Sequence, residues 1–143
     1  AESLGKNGKG FFPVISSVPK DHHSLLQLYL DGPKDKLFNI FSIEKKTKER
    51  VHINKKTGIN SFLNKKNLAS VKNAQRQALI KAFNKKNIPL REFKIKKLNE
   101  KVLGKLFSYF ILENVITAKL SNLNPFNQPA VEQVKIYTKK LLT

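Results

Sequence analysis

The sequence has no cysteine, methionine or tryptophan, and only three arginines and three histidines among 143 residues. The missing cysteine excludes a disulfide scaffold, a thiolate metal site and a cysteine nucleophile. Three histidines (His22, His23 and His52) are too few for a histidine-rich metal centre. No apolar run approaches the roughly 18 consecutive residues of a membrane span. No charged-then-apolar leader opens the chain, so the expected location is the cytoplasm. A start at Ala1-Glu2-Ser3 without Met is expected to mark a piece of something longer.

What is present is lysine. Basic residues number 28 against 10 acidic ones, a formal charge of +18, and all but Arg50, Arg76 and Arg91 of the basic residues are lysine. Such a charge invites polyanions through counterion release. Arginine, which reads bases bidentately, is scarce, and the lysines come as dispersed pairs such as Lys45-Lys46, Lys65-Lys66 and Lys139-Lys140. Lysine together with abundant asparagine reads as a solvated surface, with no specific nucleic-acid site. Hydrophobic residues make up 40% of the chain and phenylalanine alone contributes 10, enough for one core.

Hydrophobic periodicity predicts the order β-α-β-α-β-α-α, an α/β fold with a mainly parallel sheet. Residues 1–10 are Gly-rich and loop-like. Phe11–Val18 is a β-branched run that suits a buried strand. Asp21, a good N-cap, begins a helix of about 10 residues that Gly32-Pro33 stops. Leu37–Ile43 is the second strand, and the Lys-rich stretch 44–67 is a protruding loop or edge hairpin. Leu68–Phe83 is an amphipathic helix. Leu90–Leu98 alternates as the third strand, with Phe93 and Ile95 on one face. The longest helix, from Asn99-Glu100 to about Leu120, is apolar nearly all round and is expected to be central or at an interface. A rigid Asn124–Pro129 loop leads to a last helix, about Ala130 to Leu142.

Four residues exceed what local rules require. Lys135 falls inside the stripe of Val131, Val134, Thr138, Leu141 and Leu142, where a lysine either snorkels or meets an anion. His23 is placed in the first turn of a helix, where the local dipole disfavours imidazolium and leaves a neutral ring able to act in acid–base chemistry; a capping or surface role is the alternative. Glu2 lies among glycines, where a terminal carboxylate is normally solvated. Gln128 sits in a stiff loop at the head of a helix, either aimed at an anion or capping the loop. The stretch Gly5–Gly10 lacks the Gly-Lys-Ser/Thr ending and preceding strand of a phosphate loop.

Three separated motifs carry a resemblance. Ala1-Glu2-Ser3-Leu4-Gly5-Lys6, Asp21-His22-His23-Ser24-Leu25-Leu26-Gln27, and Asn124-Pro-Phe-Asn-Gln-Pro-Ala-Val-Glu-Gln-Val-Lys135 resemble segments in the C-terminal part of the bacterial glucose-6-phosphate isomerase family. The resemblance covers nearly the whole chain, most weakly residues 44–67. It implies a three-layer αβα sugar-isomerase (SIS-type) domain, incomplete in this chain. Residues 1–123 would be the end of the second such domain and 124–143 an active-site loop and helix, with the first domain absent. It also implies reversible interconversion of glucose 6-phosphate and fructose 6-phosphate by enediol chemistry, without metal or organic cofactor. Glu2 then matches the base that carries a proton between C1 and C2. His23 matches the group assisting ring opening from a neighbouring subunit of a homodimer. Lys135 matches the lysine near the ring oxygen, and Gln128 a ligand-contacting glutamine. None of Arg50, Arg76 and Arg91 falls in a motif matching the family's catalytic-site arginine. The chemistry suits these residue types, because moving a carbon-bound proton needs a carboxylate base and donors for the oxygens.

Two other readings stand beside it. One is a non-catalytic sugar-phosphate-binding module, against which the retention of three acid–base positions counts. The other is a basic polyanion-binding domain, whose binding would fall steeply with salt.

Overall fold

A computed structural model describes residues 1–44, 50 and 63–143. The chain divides into two compact units, one of Ser16–Asn99 and one of Ala1–Ile15 with Glu100–Thr143. Most of the Lys-rich stretch 44–67 lies outside the described residues; Arg50 forms an isolated antiparallel bridge with Asn67.

The first unit holds α1 (Lys20–Ser24), α2 (Leu26–Asp31), β1 (Phe38–Ile43), α3 (Leu68–Lys85) and β2 (Leu90–Ile95). Strands β1 and β2 are parallel, from Phe38 opposite Leu90 to Ile43 opposite Ile95. Parallel pairing requires a crossover of a dozen or more residues, and α3 lies in it. Asn67 starts α3 with an extended backbone and a side chain that accepts from the Ala69 N–H at 2.8 Å. One sheet face meets the helices. The Phe38 ring stands 5.0 Å from Tyr29 of α2 and 4.6 Å from Phe83 of α3, and Phe83 is buried to 1% exposure. On that face Arg76 of α3 pairs with Glu92 of β2, which also accepts from Ser42 at 3.1 Å. The opposite face carries a stacked Phe41–Phe93 pair at 5.0 Å with the Arg91 guanidinium 5.7 Å from the Phe93 ring.

The second unit holds α4 (Glu100–Leu120) and α5 (Pro129–Leu142) with the N-terminal segment. Its core is Leu4, Ala118 and Leu123.

Several expectations change. The α/β class holds, but the sheet among the described residues has two strands, not three. Phe11–Val18 forms no strand, and Phe12 and Ile15 are 89% and 93% exposed. A strand needs a neighbour to accept its ladder bonds; this run passes from one unit to the other and carries Pro13. The single helix expected from Asp21 is two pieces, broken at Leu25. Asp21 is not its N-cap: α1 begins at Lys20 behind Pro19, and the Asp21 carboxylate accepts from the Ser17 N–H instead. Helix α4, expected to be central or at an interface, buries only Ala118 within its unit, while Phe107 and Ile111 are about 60% exposed.

Candidate active site

Glu2 is held more firmly than a terminal residue in a Gly-rich stretch would suggest. The Gly5 N–H donates to the Ala1 carbonyl at 2.8 Å, closing one turn around Glu2, and Leu4 is buried two residues on. The carboxylate itself is exposed. Lys6-Asn7-Gly8-Lys9 then forms a tight turn, closed by Lys9 N–H to the Lys6 carbonyl at 2.9 Å. Asn7 and Gly8 both take positive φ (53° and 70°), which Asn-Gly adopts at low steric cost. This dipeptide was the legible signal for the turn. At Gly10, with φ 129°, an added Cβ would lie 2.7 Å from the Gly5 Cα, so only glycine lets the segment close on itself.

The segment carrying Gln128 begins at the end of α4. The Leu123 N–H donates to the Ala118 carbonyl at 2.8 Å and Asn122, at φ 55°, turns the chain off the helix axis. Asn124 then orders Pro125-Phe126 by accepting the Phe126 N–H on its side chain at 2.9 Å. Gln128 precedes Pro129 at the start of α5, a position where proline loses no helical bond. Its side chain makes no capping hydrogen bond, contrary to the capping alternative, and it is exposed.

The first and last motifs meet within one unit. Leu4 packs with Ala118 and Leu123, Lys6 Nζ donates to the Asn124 carbonyl, and Lys9 Nζ donates to the Ser121 carbonyl at 2.9 Å. Glu2 and Gln128 thus stand on segments joined by direct contacts, although they are 126 positions apart in the chain.

Lys135 has an anionic partner on its own helix. Its Nζ donates to Glu132 Oε1 at 2.6 Å, an i,i+3 pair with both side chains more than 60% exposed. The apolar stripe around it is open as well, with Val134 at 64% and Leu141 at 86% exposure. An exposed pair of this kind contributes about 0–1 kcal/mol, so Lys135 remains available to another anion. His23 lies in the other unit, exposed, in the last turn of α1 and not in the first turn of a longer helix. The expected positive dipole end therefore does not face it. Its neighbour His22 is the residue that sequence reasoning passed over. His22 Nε2 is buried with no hydrogen-bond partner among the described residues.

The fold has a solved counterpart. A hypothetical protein from Thermus thermophilus matches with a TM-score of 0.83 over 99% of this chain and 36% of that one, at 26% identity. The chain is thus an α/β protein of that fold. No family model matches it. Among curated proteins, it is 36% identical over its whole length to a probable glucose-6-phosphate isomerase of Methanococcus maripaludis. Over 94% of its length it is 35% identical to the glucose-6-phosphate isomerase of Methanocaldococcus jannaschii and 31% to that of Leptospira biflexa. The resemblance carried by the three motifs is borne out. The chain spans about a third of the length of the curated relatives it matches, as a C-terminal part would.

Proposed function

We propose that this chain is the C-terminal portion of an enzyme that interconverts glucose 6-phosphate and fructose 6-phosphate. The observation that carries the reading is similarity over 94–100% of this chain, at 31–36% identity, to proteins named for that activity. Glu2 is the base that takes the proton from one of C1 and C2 and returns it to the other through an enediol. Lys135 and Gln128 hold the sugar oxygens, and His23 assists ring opening from the partner subunit of a homodimer. Residues 1–123 complete a sugar-isomerase domain begun upstream, and 124–143 form the active-site loop and helix. The dimer is supported by the uncovered apolar side chains of α4, Phe107 and Ile111 among them. Sugar phosphates are the substrates and the cytoplasm is the location. No helix among the described residues is long and apolar enough to cross a membrane.

The test is a coupled assay of fructose 6-phosphate conversion by the intact polypeptide. Glu2→Gln removes the base and should lower kcat about 10²- to 10⁴-fold with the fold retained. Lys135→Ala should lower it about 10²- to 10³-fold. An intact, folded protein with no interconversion refutes the reading, and a Glu2→Gln variant at full rate refutes the role of Glu2.

A further inference from the structure

Lysines are the commonest surface group here, and most belong to a solvated face. Lys6, half-buried, and Lys9, exposed, stand apart from these by having distant backbone partners. They flank the Asn7-Gly8 turn, and their ammonium groups donate to backbone carbonyls 118 and 112 positions away. The acceptors lie just past the end of α4 at Leu120: Ser121 is the first residue after the helix and Asn124 is in the loop beyond it. Carbonyls left over at a helix C-terminus lack intrahelical donors and carry partial negative charge, which ammonium groups satisfy. Leu4, at 5% exposure, seats the same segment on Ala118 and Leu123 from its apolar side. The Gly10–Gly5 approach keeps the loop short, so movement at Lys6 or Lys9 is passed to the turn around Glu2.

We propose that Lys6 and Lys9 are positioning residues for the isomerase, a two-lysine clamp fixing the Glu2 turn against the Asn124–Gln128 loop. The clamp rests on the reading of Glu2 as the proton-transferring base. Neither lysine touches substrate. Each bond is peripheral, and the pair constrains the register between the motif that supplies the base and the motif that begins the ligand-contacting segment. Proton transfer at carbon is sensitive to placement on the ångström scale, so loosening this register acts on kcat more than on KM.

In the intact enzyme the double variant Lys6→Ala/Lys9→Ala should lower kcat about 10- to 100-fold. The KM for fructose 6-phosphate should stay within about twofold, and amide exchange of residues 4–10 should accelerate. Lys6→Arg/Lys9→Arg, which can still reach both carbonyls, should recover most of kcat. Lys101→Ala/Lys105→Ala removes the same charge from exposed positions of α4 and should leave kcat unchanged. If the double alanine variant does not fold, Lys9→Ala alone, which keeps Leu4 and Lys6 in place, carries the same test. A folded variant with wild-type kcat overturns the proposal, as does an equal loss in the Lys101/Lys105 control. If the wild-type intact protein does not interconvert the sugars, the underlying reading fails. Exchange then judges the clamp alone, and unchanged protection of residues 4–10 overturns it.

Discussion

Helices α3 and α4, one in each unit, stop at the same device. An asparagine with positive φ (Asn87 or Asn122) follows the residue after the helix. Two bonds then close back: Asn87 to Asn84 and Ile88 to Phe83 in one case, Asn122 to Lys119 and Leu123 to Ala118 in the other. In both, the apolar residue after the asparagine is buried, Ile88 to 6% and Leu123 to 8% exposure, and Leu123 clusters with Ala118 five positions back. A proline follows shortly in each, Pro89 or Pro125. Beyond that point the two diverge. After α3 the chain enters a strand at once, and the Pro89 carbonyl accepts from Phe38 N–H at 3.0 Å. After α4 it enters a loop whose carbonyls are taken by lysines from the other end of the sequence. A helix stop is therefore a local decision, whereas the use of its exposed carbonyls depends on what tertiary structure brings there.

The comparison can be broken first at the cores beside the two caps. Phe83→Ala in the intact protein should destabilise the Ser16–Asn99 unit by about 3–5 kcal/mol, the scale for a buried aromatic ring. Leu4→Ala should cost the other unit about 2–4 kcal/mol. Urea unfolding followed by unit-resolved amide exchange would measure both, and equal loss of protection in both units from either variant would show that they do not unfold separately.

The next effect in size is ionic and belongs to one unit only. Burial pushes the Glu92 carboxyl up, but hydrogen bonds from Arg76 and Ser42 and the charges of Arg76 and Lys94 outweigh this. Its pKa consequently lies below the ordinary 4.5. A carboxylate depressed in the folded state stabilises above its unfolded pKa and loses that contribution as pH falls through the folded value. Glu92→Gln should cost about 1–3 kcal/mol at pH 7 and flatten the stability profile below about pH 4.5. Denaturant midpoints collected across the acid range would check this, and a variant profile as steep as the parent's would remove Glu92 as the cause.

The caps themselves give a smaller and shared effect. Asn87→Ala and Asn122→Ala each place a Cβ-bearing residue without a local hydrogen-bonding side chain in left-handed backbone, and each should cost about 1–2 kcal/mol. A cost at Asn87 with none at Asn122 would end the equivalence of the two stops. The smallest change goes the other way. Gly104 lies inside α4, and an added Cβ there meets nothing within 4 Å. Gly104→Ala should stabilise the helix by about 0.5–1 kcal/mol, read as a rise in Tm.

The sequence alone determined the three long helices to within about two residues at each end. Their 3.6-residue patterning acts over a few neighbouring residues, and so do the Asn67 cap, the Pro129 start and the asparagine stops that the structure shows at their ends. It determined β1, β2 and the α/β class for the same reason, through alternation on either side of a helix. The motifs that carry the resemblance were equally legible, being strings of side chains. Tertiary structure decided what depends on a partner. Phe11–Val18 has strand composition, yet no strand of the described sheet pairs with it. The apolar residues of α4 are exposed because burial belongs to a surface and not to a helix. Lys6 and Lys9 look like any other lysines until the fold brings the carbonyls of Ser121 and Asn124 within reach. Local free energy is written in neighbouring residues, and contacts across more than a hundred positions exist only once the chain has closed on itself.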